Sequence, residues 1–417
     1  MRVVSSWQGA AQIVSFCGMS SPTPQFIDTL DALHEACRAM AACHTLCVDT
    51  EFHRESTYYA EFALMQVYGG GACWLIDPIR VNDLSCLWRV LCDPSIIKVF
   101  HAGRQDLEIF FQQCGQLPTP LFDTQIAAAL LGYGQQIGFG NLVQRITKKT
   151  LPKGESFTNW KARPLTDKQL EYAADDVIWL MPVYQHLRER LEATGRTAWL
   201  AEEQQHLLDP ATYQMDDAAL LWRVKGASKL KGKHLAVLQQ LAAWREQAAR
   251  QRDIPRRRMI SDDALLEIAR REKLDMATFS RMRGVNQGFV KRFGEELIAV
   301  WRRGMEADEA SWPRPPARRH NRPGTDLRLE MLDTLLRLKA EEGEIAASIL
   351  SSKSDLSALA SWGYRCQGEA PDVACLHGWR YELVGRDLLK LLRGEICMSL
   401  NPETGLPVVS ELAGAAS

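Results

Sequence analysis

Apolar positions recur with periods of two and of 3.6 by turns in the first half of the chain, and almost only at helical spacing in the second. Phe26 to Met40 reads as a short strand followed by a helix, with Leu30, Leu33, Ala36 and Cys37 on one face. Leu46-Cys47-Val48-Asp49-Thr50-Glu51-Phe52 is a strand. Glu61 to Tyr68 is a second, stopped by Gly69-Gly70-Gly71, and Ala72 to Ile76 a third, closed by Asp77-Pro78. Three short strands joined by tight turns predict an antiparallel meander. Strand and helix then alternate. Ile96 to Phe100 is apolar and β-branched, Asp106 to Cys114 is helical, and helical stretches follow at Thr124–Leu131, Gly140–Thr147 and Thr166–Leu191. This order predicts an α/β domain with a mixed central sheet over residues 23–200.

Beyond it, Leu235, Leu238, Leu241, Ala242 and Trp244 form the apolar face of a helix running to Arg250. Ser261 is placed to cap the helix Ala264–Arg271, and Met282 to Asn286 turns the chain into a helix from Gln287 to Trp301. A small all-α bundle is expected over 222–306. Residues 307–325 are a Pro- and Arg-rich linker. Leu327 to Glu395 is helical again, with Ile349, Leu350, Leu356, Leu359 and Trp362 as its apolar positions, so a second small helical bundle is expected over 326–400. Residues 1–22 read as a loose, untargeted extension and 401–417 as a frayed tail.

A chain of 417 residues with 46% apolar and 24% charged positions matches two or three globular domains. No run of about 18 apolar residues occurs, so no membrane-spanning helix is expected. The 11 cysteines are an odd count without paired spacing, which suits free thiols in a reducing cytoplasm better than a disulfide framework. Cys43-His44 and Cys47 lack a second cluster that would complete a zinc site. The net charge of −1 conceals an asymmetry. Arg223 to Arg303 holds about 20 Lys or Arg against about 9 Asp or Glu, including Arg256, Arg257 and Arg258, and such a segment suits a polyanionic partner as well as a solvated helical surface.

Within this frame the strand period puts Asp49 and Glu51 on one face. Two adjacent carboxylates repel, and a divalent cation neutralises them; a strand ending in a polar turn would show the same residues. Asp106 lies just past the fourth strand, where α/β folds place their sites, although a first-turn acid also favours the helix dipole. Asp123 reads as an N-cap and is left out of the chemistry. Tyr172 and Asp176 stand four apart on one helical face, with Asp175 turned toward solvent. Asp49, Glu51, Asp106 and Asp176 together suit two divalent ions about 3.5–4 Å apart, an arrangement that hydrolyses phosphodiesters, with the Tyr172 hydroxyl orienting the attacking water.

Asp49-Thr50-Glu51-Phe52, the run His101-Ala102-Gly103-Arg104-Gln105-Asp106, and Tyr172 followed by Asp176 resemble, in order and spacing, the three motifs of the 3′-5′ exonuclease superfamily named for four acidic residues and a tyrosine. Leu151 to Ser156 and Trp160 to Leu165 resemble the segment that precedes the third motif in ribonuclease D. The likeness is close from Phe26 to Leu191 and weaker to about Glu395. It implies a ribonuclease-H-like fold followed by two helicase-and-ribonuclease-D C-terminal (HRDC-like) modules. It also implies Mg²⁺ or Mn²⁺ dependence and hydrolytic release of nucleoside 5′-monophosphates from RNA 3′ ends, notably of transfer-RNA precursors, by a cytoplasmic monomer. Phe52, His101, Lys153, Trp160, Arg163 and the Arg256 to Arg258 cluster are the expected RNA contacts. Two rival readings keep the same residues: a DNA 3′-5′ exonuclease, and a catalytically silent RNA-binding protein.

Overall fold

The computed structural model describes residues 22–152, 158–214, 217–282, 284–315, 323–363 and 368–412. In chain order the first part comprises β1 (Gln25–Ile27), α1 (Leu30–Ala41), β2 (Thr45–His53), β3 (Glu61–Gly69), β4 (Ala72–Ile76) and α2 (Ser85–Leu91). Next come β5 (Ile97–Phe100), α3 (Arg104–Cys114), β6 (Leu121–Asp123), α4 (Thr124–Leu130) and α5 (Phe139–Thr147), followed by α6 (Asp167–Ile178), α7 (Leu180–Ala193) and α8 (Thr197–Gln204). The strands form one sheet in the order β1-β4-β3-β2-β5-β6. β2, β3 and β4 make the expected antiparallel meander, while β1 joins β4, β5 joins β2 and β6 joins β5 in parallel. β3 alone among these six runs against the rest.

Both sheet faces are covered, as the unbroken apolar strands require. Leu46, Val48, Met65, Val67 and Ile76 pack with α1 and α2 residues such as Leu33, Met40 and Leu87. Cys47, Leu64, Tyr68 and Leu75 face the other way, into a cluster with Ala173, Val177 and Val183 of α6 and α7. The helical stretch read as continuous from Thr166 to Leu191 is two helices, broken at Trp179. The three-residue β6 and the seven-residue α2 were not anticipated; each is too short for its periodicity to register.

The basic segment folds around its own core. α9 (Asp217–Trp222) and α10 (Lys233–Arg252) lead to α11 (Arg256–Met259), α12 (Asp262–Ala269), α13 (Met276–Ser280) and α14 (Gln287–Met305). Leu235, Leu238, Leu265, Ile268, Phe279 and Leu297 fill the centre, and Leu220 and Leu221 join them from α9. Gly304 lets α14 lie against α10: a Cβ there would stand 2.4 Å from Val237 Cα. Tyr58, from the loop after β2, is inserted beside this bundle. Its hydroxyl donates to Glu246 and accepts from Arg250 Nε at 3.0 Å, while Asp253 Oδ1 accepts the amides of Tyr58 and Tyr59, each at 3.0 Å.

The second helical region comprises α15 (Thr325–Glu342), α16 (Ala347–Leu350), α17 (Lys353–Trp362) and a run from α18 (Gly378–Arg380) through a π turn (Tyr381–Gly385) into α19 (Arg386–Arg393). Its start repeats the order of the first bundle: a long helix, a four-residue helix, one extended residue, then a serine N-cap. Ile260 and Ser351 share φ −159°, and Ser261 and Ser352 each cap the next helix. Unlike the first bundle, this region has no separate core among the described residues. Leu332, Leu335, Leu336, Leu350 and Leu359 belong to the same apolar cluster as the α6 side of the sheet. Arg196 donates to the carbonyls of Leu130, Gly343 and Glu344, and the rings of Trp199 and Trp379 stack at 4.3 Å. Gly132, at φ 76°, is required here, because a Cβ would come within 3.0 Å of the Glu344 carbonyl. The expected frayed tail is in part a hairpin, β7 (Ile396–Leu400) with β8 (Pro407–Glu411), anchored by Ile396, Met398 and Val409 on the helices. Among the described residues no helix is long and apolar enough to cross a membrane.

Candidate active site

β2 ends beneath α6. Thr166 and Gln169 form a reciprocal capping box that fixes where α6 begins, and Ala173, Ala174 and Val177 press it onto the sheet. Tyr172 and Asp176, one turn apart, then overhang the end of β2. One carboxylate oxygen from each of Asp49, Glu51 and Asp176 lies within 4.8 Å of the other two. The Tyr172 hydroxyl hydrogen-bonds the Asp176 carboxylate.

Asp106 stands outside that trio. It lies in the first turn of α3, buried, and accepts a hydrogen bond from the Thr50 hydroxyl, while its charge faces both Asp49 and Glu51. Two ties hold this geometry. Arg54, just past β2, pairs bidentately with Glu108 at 2.6 and 2.8 Å, fixing α3 two residues beyond Asp106. On the other side the β2–β3 register shifts after Glu51, leaving Ala63 as the extra residue of a bulge. The Ala63 carbonyl takes a 2.7 Å hydrogen bond from Arg163.

Burial and mutual repulsion raise the carboxylate pKa values. Asp49 is pushed up to about 8 by burial and then by Asp176. Glu51 reaches about 10, from burial and then its three acidic neighbours. Asp176 rises to about 7 through burial, against the Tyr172 hydrogen bond, and Asp106 is also raised well above the ordinary range by burial. Such a set is ionised together only if positive charge compensates it, and no Lys or Arg among the described residues makes an ion pair with any of the four. All donors are oxygen, which suits hard divalent cations. The residues fit a metal site.

Several expected RNA contacts prove to be structural. Trp160 is 2% exposed and packs in the core, its ring 6.1 Å from that of Tyr172. Arg163 spends all five N–H groups inside the protein: Nε and Nη2 on Asp77 at 2.6 and 2.9 Å, the rest on the carbonyls of Trp160, Ala162 and Ala63. His101 has Thr124 Oγ1 and the Ile137 carbonyl at 3.0 Å from its two ring nitrogens. Burial lowers its pKa. Asp175 is half-buried and accepts from Trp179 Nε1 at 3.2 Å, so it is not the solvated residue expected. Phe52 is half-buried beside Glu51. Lys153 lies outside the described residues. Arg257 and Arg258 are exposed on α11, whereas Arg256 turns inward to within 3.4 Å of Glu246. Asp123 is the N-cap anticipated, accepting from the amides of Gln125 and Ile126 and also from Gly103. Arg54, Glu108 and Thr50 were missed, because each acts through a partner more than fifty residues away. A cavity of about 1030 Å³ opens beside α3, between the sheet domain and the first bundle, bordered by Arg54, Tyr59, Phe111, Tyr213, Arg250 and Arg256.

A family model described as 3′-5′ exonuclease matches residues 24–192, and one described as HRDC domain matches residues 234–300. Sheet, helices and acidic cluster thus define a 3′-5′ exonuclease of ribonuclease-H-like architecture, a metal-dependent class. Ribonuclease D of Granulibacter bethesdensis is 38% identical over 384 residues, which are 91% of this chain and 95% of that one. Ribonuclease D of Bartonella henselae is 39% identical over 84% of this chain and 85% of its own. The crystal structure of Escherichia coli RNase D, described as an exoribonuclease involved in structured RNA processing, superposes with a TM-score of 0.77 at 33% identity, covering 89% of this chain and 99% of that one. The chain belongs to the ribonuclease D family and is a hydrolytic 3′-5′ exoribonuclease.

Proposed function

We propose that the enzyme shortens the 3′ ends of transfer-RNA precursors and other structured RNAs, using two divalent cations, Mg²⁺ or Mn²⁺, held by Asp49, Glu51, Asp106 and Asp176. The observation that carries this reading is the convergence of the Asp49, Glu51 and Asp176 carboxylates, with Asp106 facing Asp49 from α3. Asp49, Glu51 and Asp176 would hold one ion, and Asp49 with Asp106 the other. Bound cations supply a nucleophile at neutral pH and stabilise charge on the leaving oxygen. The chain's own residues hold that arrangement. Thr50 and the Arg54–Glu108 pair keep Asp106 in place, and Tyr172 orients Asp176 through its hydroxyl.

The helical regions hold the RNA. The first, with Arg257 and Arg258 exposed, carries the positive excess that phosphates seek. The second is read as a divergent copy of the first, supported by their shared helix order and caps. The arginines and aromatic rings of the cavity beside α3 suit a single strand on its way to the carboxylates. One chain carries all four carboxylates, so a monomer suffices. Its described cysteines are free thiols, in keeping with the cytoplasm.

The test is a time course on 3′-extended transfer RNA labelled at its 5′ end, with Mg²⁺, with chelator, and with Asp176→Ala. A ladder shrinking by single nucleotides, lost in both controls, is the expected result. No shortening with any divalent ion, or faster degradation of a matched DNA strand, would reject the reading.

A further inference from the structure

Gln66 occupies the middle of β3, directly opposite Asp49 on β2 and Leu75 on β4. Opposed residues of an antiparallel pair project from the same face with Cβ atoms about 4.5–5.5 Å apart. Gln66 therefore stands on the carboxylate side of the sheet, the side that α6 covers. Its surroundings there are apolar: Leu64, Tyr68 and Leu75 on the strands, with Ala173 and Val177 above. The side chain is 0% exposed, and neither its amide oxygen nor its amide nitrogen has a hydrogen-bond partner among the described residues. A buried primary amide left unpaired is costly, and a Val or Leu at this position of a central strand would pack without that cost. Across the strand stands Asp49.

We propose that Gln66 is a positioning residue for Asp49, its amide N–H donating to the Asp49 carboxylate when a divalent cation occupies the acidic cluster. This rests on the reading of Asp49 as a metal ligand. A neutral donor fits the task better than a lysine or arginine would. It orients one carboxylate without adding a charge that competes with the cation. The amide has no partner among the described residues, and with a cation held there the ionised Asp49 carboxylate would offer it one. Gln66 thus serves Asp49 from β3 as Thr50 and the Arg54–Glu108 pair serve Asp106 from β2 and α3.

The test uses the full chain with Gln66→Leu and Gln66→Met, and Asp49→Asn as the control for the metal-ligand reading. Mn²⁺ affinity is measured by calorimetry, and kcat and KM on a 5′-labelled oligoribonucleotide. Loss of a group that orients a ligand weakens metal binding about 10- to 100-fold. The expected outcome is a Mn²⁺ dissociation constant raised within that range, a comparable fall in kcat, an unchanged KM, and undiminished thermal stability in chelator. Mn²⁺ affinity and kcat within about twofold of the parent would overturn the proposal. If Asp49→Asn leaves Mn²⁺ binding intact, the ligand reading itself fails and takes this inference with it. If Asp49→Asn abolishes binding and the Gln66 variants do not weaken it, the role of Gln66 alone fails. Should neither Gln66 variant fold, the structure of the unaltered chain with Mn²⁺ decides. An amide nitrogen within about 3.2 Å of an Asp49 oxygen supports the proposal, and an amide bonded elsewhere overturns it.

Discussion

The carboxylates were legible in the sequence because local periodicity alone sets their direction. A strand sends Asp49 and Glu51 to one side, and a helix puts Tyr172 over Asp176, whatever surrounds them. Arg163 and Trp160 were misread for the converse reason. The partner of Arg163, Asp77, is 86 positions away, and nothing near either residue announces the pair. Raised pKa values at Asp49 and Asp176 have a consequence for the metal-free protein. Their ordinary value is 3.8, against about 8 and about 7 when folded, so the folded state retains protons that the unfolded chain has released. The linked stabilisation is complete below about pH 4 and is lost as pH rises through these folded values. The midpoint of thermal unfolding in chelator is expected to fall as pH rises from about 4 to about 8, and to fall less in Mg²⁺, which replaces the protons. Parallel pH profiles with and without Mg²⁺ would contradict this.

At the scale of elements, the meander, the strand–helix alternation and the first bundle followed from pattern, and the failures have a common cause. β6 has three residues, too few to show a period, and it is held by pairing with β5. The hairpin of β7 and β8 was hidden because the pattern near Asn401 is dominated by turn residues, and its anchoring depends on helices distant in sequence. Gly304 is another feature that pattern cannot reveal. Within a helix, glycine costs about 1 kcal/mol relative to alanine, yet a Cβ here would collide with the Val237 backbone. Gly304→Ala should therefore destabilise the first bundle by about 2 kcal/mol, the price of prising α10 from α14. Denaturant unfolding with an unchanged or higher midpoint would show that the helices separate freely.

The whole molecule is one sheet domain with two different attachments. The first bundle keeps its own core and is joined by polar contacts centred on Tyr58, whose hydroxyl serves the buried Glu246. Tyr58→Phe would leave that carboxylate oxygen without its donor, at about 1.5–3 kcal/mol. Hydrogen exchange at the Tyr58 and Tyr59 amides, which bond Asp253, should accelerate by about tenfold or more, with the sheet amides unaffected. Protection equal to the parent's would place the strength of the junction elsewhere. The second helical region is attached by a shared apolar cluster that reaches from Cys47 to Ile396. That cluster has a consequence in time. During synthesis at about 5–20 residues per second, the strands and α6 are finished roughly ten to thirty seconds before Leu332 and Leu359 emerge. Until then the nuclease shows an open apolar flank to the cell. A nascent chain stalled within the first bundle is the form in which this enzyme most needs a chaperone.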